Sequence, residues 1–178
     1  ATGAGAALDA ANRGLKVALI ERFDFASGTS SKSTKLLHGG VRYLEKAVFN
    51  LDKQQYDLVM EGLMERETLF QIAPHLTRPI EIITPVYTLW EIPYYWMGLK
   101  AYDWIASSTS LPKSGYLSPS QISEKIPQIR TEGLTGGVVY YDGQFNDTRF
   151  NITVIKSAMA LDAVVLNYAE VDSLKYNQ

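Results

Sequence analysis

Residues 26–45 read ASGTSSKSTKLLHGGVRYLE, and this stretch decides how the rest of the chain is interpreted. It contains six serine and threonine side chains and the pair Gly39-Gly40. Small hydroxyl residues and glycines let backbone N–H groups approach a charged or planar ligand closely, and basic side chains balance its negative charge. The stretch therefore indicates a ligand-binding loop, with a serine-rich surface loop as the alternative. Four basic or potentially basic side chains belong to it: Lys32, Lys35, His38 and Arg42.

The residues before this stretch predict a helix followed by a short strand. Residues 1–21 read ATGAGAALDAANRGLKVALIE, in which the alanine-rich part predicts a helix ended by Gly14, and residues 16–20 predict a buried strand. A dinucleotide fingerprint has a strand, G-x-G-x-x-G, a helix and then an acid about 20 residues on. Gly3 fits the last glycine, Gly5 would allow further close packing, and Glu21 fits the acid that accepts the ribose hydroxyls. The first strand of the unit is expected to be missing. An ordinary close-packed helix is the alternative.

Composition narrows the classes of function. The chain is 46% apolar and 20% charged, which is typical of a folded protein. A net charge of −2 without a basic block gives no reason to expect a nucleic-acid partner. Cysteine is absent, which excludes disulfides and thiolate metal sites, and the two histidines are far apart. No metal site and no membrane-spanning segment are expected.

The remainder of the sequence alternates predicted helices and strands. Residues 52–76 predict an amphipathic scaffold helix ended by Pro74, and residues 80–88 predict a strand. A loop is expected over 107–120, then a short helix capped by Ser118 or Ser120. Residues 136–141 predict a strand leading to a turn at Asp142-Gly143. Asp147 is predicted to cap a helix over 148–163, with strands over 164–166 and from 169 onward.

Residues 89–105, LWEIPYYWMGLKAYDWI, are the most aromatic part of the chain. Aromatic clusters occur at membrane interfaces, but they also form the packing face of helices. Because Lys100 is the only basic residue here, packing is the favoured interpretation.

These motifs resemble the FAD-dependent glycerol-3-phosphate dehydrogenases, especially the mitochondrial type. In that family a GGGATG turn opens the chain, and ASGTSS, KL-HGG and RYLE follow the ribose-binding acid. Phe145 matches the fungal-type pattern better than the animal-type one. The resemblance continues to the end of the chain through Glu65-Arg66, Ala73-Pro74-His75-Leu76, Pro85-Val86-Tyr87, Pro93-Tyr94-Tyr95, Tyr140-Tyr141-Asp142-Gly143, Asn146-Asp147 and Arg149.

The resemblance implies an α/β fold. This is a FAD-binding Rossmann-like domain of the glutathione-reductase or D-amino-acid-oxidase type, together with part of an α+β substrate or cap domain. Residues 1–78 are assigned to the FAD-binding domain, residues 79–145 to the substrate or cap region, and residues 146–178 to the returning part of the FAD-binding domain.

The resemblance also implies roles for particular residues. His38 with Gly39-Gly40 is expected beside the isoalloxazine ring, Val171 beside the adenine, and Arg42 on the substrate phosphate. A surface ion pair with Glu45 or Asp52 is the alternative for Arg42. His75 is given no role in the site, and no general base is assigned. Arg149 is a second candidate basic group, with a helix-surface arginine as the favoured alternative. The expected FAD-binding residues are Gly3, Glu21, Arg22, Ser27, Gly28, Thr29, Ser30, Ser31, Lys35, Leu37, His38, Gly39, Gly40 and Val171.

The implied reaction transfers a hydride from C2 of sn-glycerol 3-phosphate to flavin N5 and yields dihydroxyacetone phosphate, with quinone as electron acceptor. A homodimer associated peripherally with the mitochondrial inner membrane, on its intermembrane-space side, is expected. This chain alone is expected to be inactive. The alternatives are a glycerophosphate oxidase that uses oxygen, another FAD-dependent amine or hydroxy-acid oxidase, and a non-catalytic interaction domain.

Overall fold

The computed structural model describes residues 1–38, 52–105 and 111–173. The chain divides into two compact units, the first made of Ala1–Lys35 with Phe145–Gln178 and the second of Leu36–Gln144. The assignment of residues 1–78 and 146–178 to a FAD-binding domain stays a prediction. In chain order the described elements are α1 (Thr2–Asn12), β1 (Ala18–Ile20), β2 (Leu36–Leu37), α2 (Lys53–Ile72), β3 (Thr77–Val86), α3 (Glu91–Ile105), β4 (Gly115–Leu117), α4 (Pro119–Lys125), β5 (Gly136–Phe145), α5 (Asp147–Met159) and β6 (Val164–Leu166).

The first unit pairs two short parallel strands and packs two helices together. β1 and β6 are in register, with Leu19 opposite Val165. Helix α1 ends where predicted, because Gly14 adopts a left-handed conformation with φ of 79° just after it. Strand β1 is less buried than predicted, since Ala18 and Ile20 are exposed. The core of the unit consists of small side chains that allow close helix packing: Ala7, Ala11, Ala158 and Ala163, with Leu8, Val17, Leu19 and Val165 against them.

The second unit contains a four-stranded sheet in the order β2-β5-β3, with β4 also pairing with β5. The long helix α2 is confirmed, and Asp52 caps it by accepting the N–H groups of Gln54 and Gln55. Ser118 caps α4 as predicted, in a capping box with Gln121. Ile122 is fully buried in the core of this unit. It packs with Leu117, Leu134 and Val139.

Three predicted boundaries are wrong. Strand β4 lies inside the predicted loop over 107–120. Strand β5 continues through Asp142-Gly143 to Phe145, because Gly143 is held in a strand pair opposite Leu37 and forms no turn. No strand forms over the described residues 169–173. For β4 and β5, pairing with a distant segment overrides the local loop or turn preference.

The aromatic helix α3 does not pack as predicted. Leu99 is buried, whereas the side chains that precede it are 38–70% exposed: Trp90, Tyr94, Tyr95, Trp96 and Met97. Among the described residues, no helix is both long and apolar enough to cross a membrane.

Candidate functional site

The hydroxyl loop, residues 27–35, forms one short 3-10 turn held by its own backbone. Ser31 donates its N–H and its hydroxyl to the carbonyl oxygen of Gly28, at 3.1 and 3.0 Å. Lys32 donates its N–H to the carbonyl oxygen of Thr29. Ser27, Gly28 and Thr29 are exposed, and Ser30 and Ser31 are partly exposed. The hydroxyl groups and the backbone of the loop are therefore accessible to a ligand.

The hydroxyl loop meets the N-terminus of helix α1. The nitrogen of Ala1 donates to Oγ of Ser30 at 2.7 Å. Helix α1 begins at Thr2, and no side chain caps it. Its first N–H groups carry the positive end of the helix dipole and suit a phosphate ligand. Two sets of anion-binding groups, the helix terminus and the loop, thus lie side by side.

The two glycines of α1 differ in how closely they pack against their surroundings. A Cβ at Gly3 would lie 3.8 Å from Cδ1 of Leu19, which is ordinary van der Waals contact. A Cβ at Gly5 would meet nothing within 4 Å, so the prediction that Gly5 allows closer helix packing is wrong for this chain. The contact at Gly3 shows that the start of α1 lies over β1. The N-terminus of α1 and the carboxyl end of β1 are therefore at the same end of the first unit.

Glu21 directly follows β1, at the end of the unit where α1 begins. Its carboxylate accepts the N–H of Phe23 at 2.9 Å, which fixes the side chain against the backbone. The backbone N–H of Glu21 donates to the carbonyl oxygen of Leu166, and the carbonyl oxygen of Glu21 accepts the N–H of Ala169. This is the position and chemistry expected of a carboxylate that accepts ribose hydroxyl groups.

The segment after β6 runs beside Glu21. The N–H of Tyr168 donates to the carbonyl oxygen of Phe23, and the Arg22 guanidinium donates to Glu170 at 3.0 Å. Arg22 also lies over the Phe23 ring. Val171 is 56% exposed and comes directly after Glu170. The structure therefore brings the Arg22 and Val171 segments together, although Val171 is not in a strand.

The Lys35 side chain is hydrogen-bonded to other groups of the first unit. Its ammonium donates to the carbonyl oxygen of Ser31 at 3.1 Å and to the carboxylate of Asp147 at 3.2 Å. Asp147 was predicted to cap α5, but Asn146 is the cap, since its side chain accepts the N–H of Arg149. The Asp147 carboxylate instead accepts the N–H of Ser33 at 2.9 Å. The sequence did not distinguish the two candidate caps of α5, because Asn and Asp are equally good helix caps.

Acidification is expected to weaken the contacts of Asp147. Burial disfavours its ionised form, but hydrogen bonds from Ser33 and Lys35 outweigh this and hold the pKa of Asp147 well below its usual 3.8. The folded chain thus keeps the carboxylate ionised where the unfolded chain protonates it. Its stabilising contribution is present above pH 3.8 and is lost progressively as the pH falls below that value.

This prediction is measured by thermal unfolding of the wild type and of Asp147→Asn over about pH 6 to pH 3. The advantage of the wild type should be largest at the upper end of this range and should shrink as the pH falls. An advantage that does not change with pH would contradict the prediction.

In the second unit, Leu37 and His38 lie next to a buried ion pair. Strand β2 pairs antiparallel with β5, with Leu37 opposite Gly143, so that His38 follows at the level of Asp142. The Arg66 guanidinium donates to the Asp142 carboxylate, and their side chains are only 1% and 3% exposed. Burial raises the pKa of the Asp142 carboxyl, while the charges of Arg66 and His38 act against this rise.

Arg66 lies on the buried face of α2. It follows the buried residues Val59 and Leu63 at helical spacing, which places it on their face. That spacing was the signal for its burial, and the charge of the residue obscured it. His38 itself is exposed.

Three predicted site residues, Gly39, Gly40 and Arg42, lie outside the described residues. Within the described ranges, no cluster of three or more His, Asp or Glu side chains is arranged to hold a metal ion. Among the described residues, all predicted site residues except Leu37 and His38 belong to the first unit. Its groups suit the ADP half of a dinucleotide: helix N–H groups and hydroxyls for phosphate, and a carboxylate for ribose.

Comparison with known proteins agrees with this geometry. The family described as DAO, FAD dependent oxidoreductase, matches residues 1–178. The chain belongs to this family. The cofactor of the family is FAD, and the groups of the first unit fit it. The α/β fold of FAD-binding type expected from the sequence is therefore confirmed.

Several relatives are known by name. The chain is 55% identical over 174 residues to the mitochondrial glycerol-3-phosphate dehydrogenase of Rattus norvegicus, covering 98% of the chain and 24% of that protein. It is also 55% identical over 174 residues to the enzyme of the same name from Saccharomyces cerevisiae, covering 98% of the chain and 27% of that protein. The chain therefore spans about a quarter of the length of these relatives. The predicted resemblance is confirmed, and the fungal-type interpretation of Phe145 stays a prediction because both identities are equal.

Solved structures show the same fold. The glycerol-3-phosphate dehydrogenase of Bacillus halodurans, complexed with FAD, matches with a TM-score of 0.64 and 34% identity over 98% of this chain and 26% of that one. An L-alpha-glycerophosphate oxidase from Mycoplasma pneumoniae with FAD bound gives a TM-score of 0.64 at 13% identity, covering 95% of this chain and 42% of that one. The second similarity concerns the fold alone.

Proposed function

We propose that this chain is part of a flavoprotein that oxidises sn-glycerol 3-phosphate to dihydroxyacetone phosphate. The geometry that supports the proposal is the meeting of the α1 N-terminus, the hydroxyl loop and Glu21 at one end of the first unit. The relatives that are 51–55% identical along the chain are named glycerol-3-phosphate dehydrogenases, which supports the choice of substrate.

The residues of this chain would divide the work of holding FAD. The α1 N-terminus with Gly3, and the hydroxyls of Ser30 and Ser31, would bind the pyrophosphate. Glu21 would accept the ribose hydroxyls, with Arg22 and the backbone of Val171 near the adenine. Leu37, His38 and the pair Gly39-Gly40 would contact the isoalloxazine ring. FAD supplies the redox chemistry by accepting a hydride at N5.

The atoms and electrons of the proposed reaction balance. The substrate C2–H bond breaks, and its two electrons leave with the hydride, while the C2 hydroxyl loses a proton and becomes the ketone oxygen. The electrons are then passed to a quinone. We infer a mitochondrial location, because close relatives are named mitochondrial enzymes. A place on the inner membrane, facing the intermembrane space, and a homodimer are proposed from the family resemblance alone.

Replacement of Arg42 by alanine in the full-length protein is expected to raise the KM for glycerol 3-phosphate by about 10- to 100-fold, since a charge-assisted hydrogen bond contributes about 1.5–3 kcal/mol. The bound FAD content should not change, because Arg42 is assigned to the substrate phosphate. Steady-state turnover with an artificial electron acceptor measures KM, and the visible spectrum measures the bound FAD.

Lys113→Ala serves as the control, because it removes an exposed basic side chain that is not part of the predicted site. An unchanged KM in Arg42→Ala would assign that arginine to a surface ion pair. Loss of FAD together with substrate affinity would place it on the cofactor instead.

A further inference from the structure

The hydroxyl loop is held at two separate places in the first unit. At one place Ser30 Oγ lies 2.7 Å from the nitrogen at the start of α1. At the other, the Asp147 carboxylate on α5 accepts the N–H of Ser33 and the ammonium of Lys35. The second attachment joins the loop to a helix that is distant in sequence, so it adds a constraint that the loop's own backbone hydrogen bonds do not supply.

Asp147 is almost completely enclosed, and Lys35 is only partly so. The Asp147 side chain is 5% exposed, whereas that of Lys35 is 43% exposed. A buried carboxylate is stabilised only when charged or N–H partners satisfy it. Here both oxygens have partners, because Oδ1 accepts the N–H of Thr148 and lies 3.1 Å from the Lys35 ammonium.

The backbone of Lys35 adopts a strained conformation, which hydrogen bonds on both sides of the residue hold in place. Lys35 has a φ of 59°, in the left-handed region that side chains other than glycine rarely adopt. Its N–H donates to Ser33 Oγ at 3.0 Å, and its carbonyl oxygen accepts the N–H of Phe145 at 3.1 Å. Together with the contacts of the ammonium, these hydrogen bonds fix Lys35 at the end of the hydroxyl loop.

We propose that Asp147 is a positioning residue for FAD, which acts through Ser33 and Lys35 to keep the hydroxyl loop against the α1 N-terminus in the conformation that binds the pyrophosphate. This inference rests on the proposed function, because it concerns the same cofactor. It also gives Lys35 a different task from the predicted one: its charge holds the loop through Asp147, and Ser30, Ser31 and the helix terminus contact the phosphate.

Loss of this attachment is expected to weaken FAD binding, although Asp147 itself makes no contact with FAD. If the loop occupies the binding conformation for only a fraction of the time, the apparent dissociation constant rises by the inverse of that fraction. Asp147→Asn keeps the shape of the side chain but removes its charge, so we expect the FAD dissociation constant to rise at least about tenfold. Lys35→Met should have a smaller effect in the same direction, and Asp147→Glu should restore part of the affinity.

The experiment uses the full-length apoprotein and titrates it with FAD while flavin fluorescence is recorded. Hydrogen exchange of residues 27–35 is measured on the same apoprotein before FAD is added, so that loop order is measured independently of the cofactor. Asp24→Asn is the matched control. Asp24 belongs to the first unit, and its carboxylate accepts hydrogen bonds from Phe25 and Asn167. Its contact with the hydroxyl loop is made by its backbone carbonyl, which accepts the N–H of Ser27 and is kept in the variant.

Faster loop exchange together with weaker FAD binding in Asp147→Asn, with neither change in Asp24→Asn, supports the inference. Equal FAD affinity in the wild type and Asp147→Asn overturns it and leaves the proposed function standing. Equal weakening in both variants also overturns it, because the effect would then be general destabilisation. A wild-type protein that binds no FAD overturns the proposed function first, before any variant is compared.

Discussion

Replacement of Asp142 by alanine is expected to lower the free energy of unfolding of the second unit by about 3–5 kcal/mol, which is the usual cost of removing one partner of a buried ion pair. The Arg66 side chain is 1% exposed and cannot turn toward water without opening the core beside Val59 and Leu63. In Asp142→Ala its positive charge would stay buried without its carboxylate partner. Arg66→Ala should have a similar effect, because the Asp142 carboxylate would then be buried without its guanidinium partner.

Urea unfolding followed by tryptophan fluorescence measures this loss. All three tryptophans of the chain, Trp90, Trp96 and Trp104, belong to the second unit, so their emission reports on the unit that contains the ion pair. The double replacement Arg66→Met with Asp142→Leu is the first control. It removes both charges and should cost much less than the sum of the single replacements.

The exposed ion pair between Lys125 and Glu81 provides a second control. Its atoms are 2.9 Å apart, but the side chains are 44% and 30% exposed, so solvent screens the interaction. Lys125→Ala should therefore change the unfolding midpoint far less than Asp142→Ala does. Equal losses in the buried and exposed pairs would contradict the view that burial makes the Arg66–Asp142 pair important.

Gly137→Ala is expected to destabilise the second unit by about 1–3 kcal/mol, the range found for overpacked cores. A Cβ at this position would lie 2.7 Å from the carbonyl oxygen of Thr84 and 2.8 Å from Cδ1 of Ile122. The carbonyl oxygen belongs to β3 and cannot move without shifting that strand. Ile122 is fully buried, so it has no free space into which to turn.

Gly98→Ala is the matched control for this replacement. Gly98 lies in helix α3 of the same unit, and a Cβ there would meet nothing within 4 Å. Because alanine favours helices more than glycine does, this variant should be more stable than the wild type by up to about 1 kcal/mol. Comparison of the two variants by urea unfolding isolates the steric effect. A similar change in both would show that the space around Gly137 is not limiting.

Local sequence signals predicted the elements that depend on neighbouring residues. The Gly14 helix end, the Ser118 cap and the α2 helix each follow from residues within one or two turns of the element. Strands β1 and β6 were each predicted, but their parallel pairing was not, because it joins segments far apart in the sequence.

The wrong predictions concern features that depend on contacts between distant segments. Asp142-Gly143 is typical of a turn, yet Gly143 serves to admit Leu37, whose Cβ would lie 2.8 Å from a Cβ added at Gly143. Nothing within a few residues of Asp147 indicates that it binds Ser33 and Lys35. Local patterns carry no information on partners more than a hundred residues away, and only the folded structure shows them.

Anaerobic reduction of the flavin tests the central claim most directly. The full-length protein is purified, its visible spectrum is recorded without oxygen, and glycerol 3-phosphate is added, with glycerol and glycine as controls. The proposed function predicts that only glycerol 3-phosphate bleaches the oxidised flavin band, because only this substrate offers both the C2 hydride and the phosphate. A yellow protein whose band persists with glycerol 3-phosphate would contradict the substrate, and a colourless protein would contradict the cofactor as well.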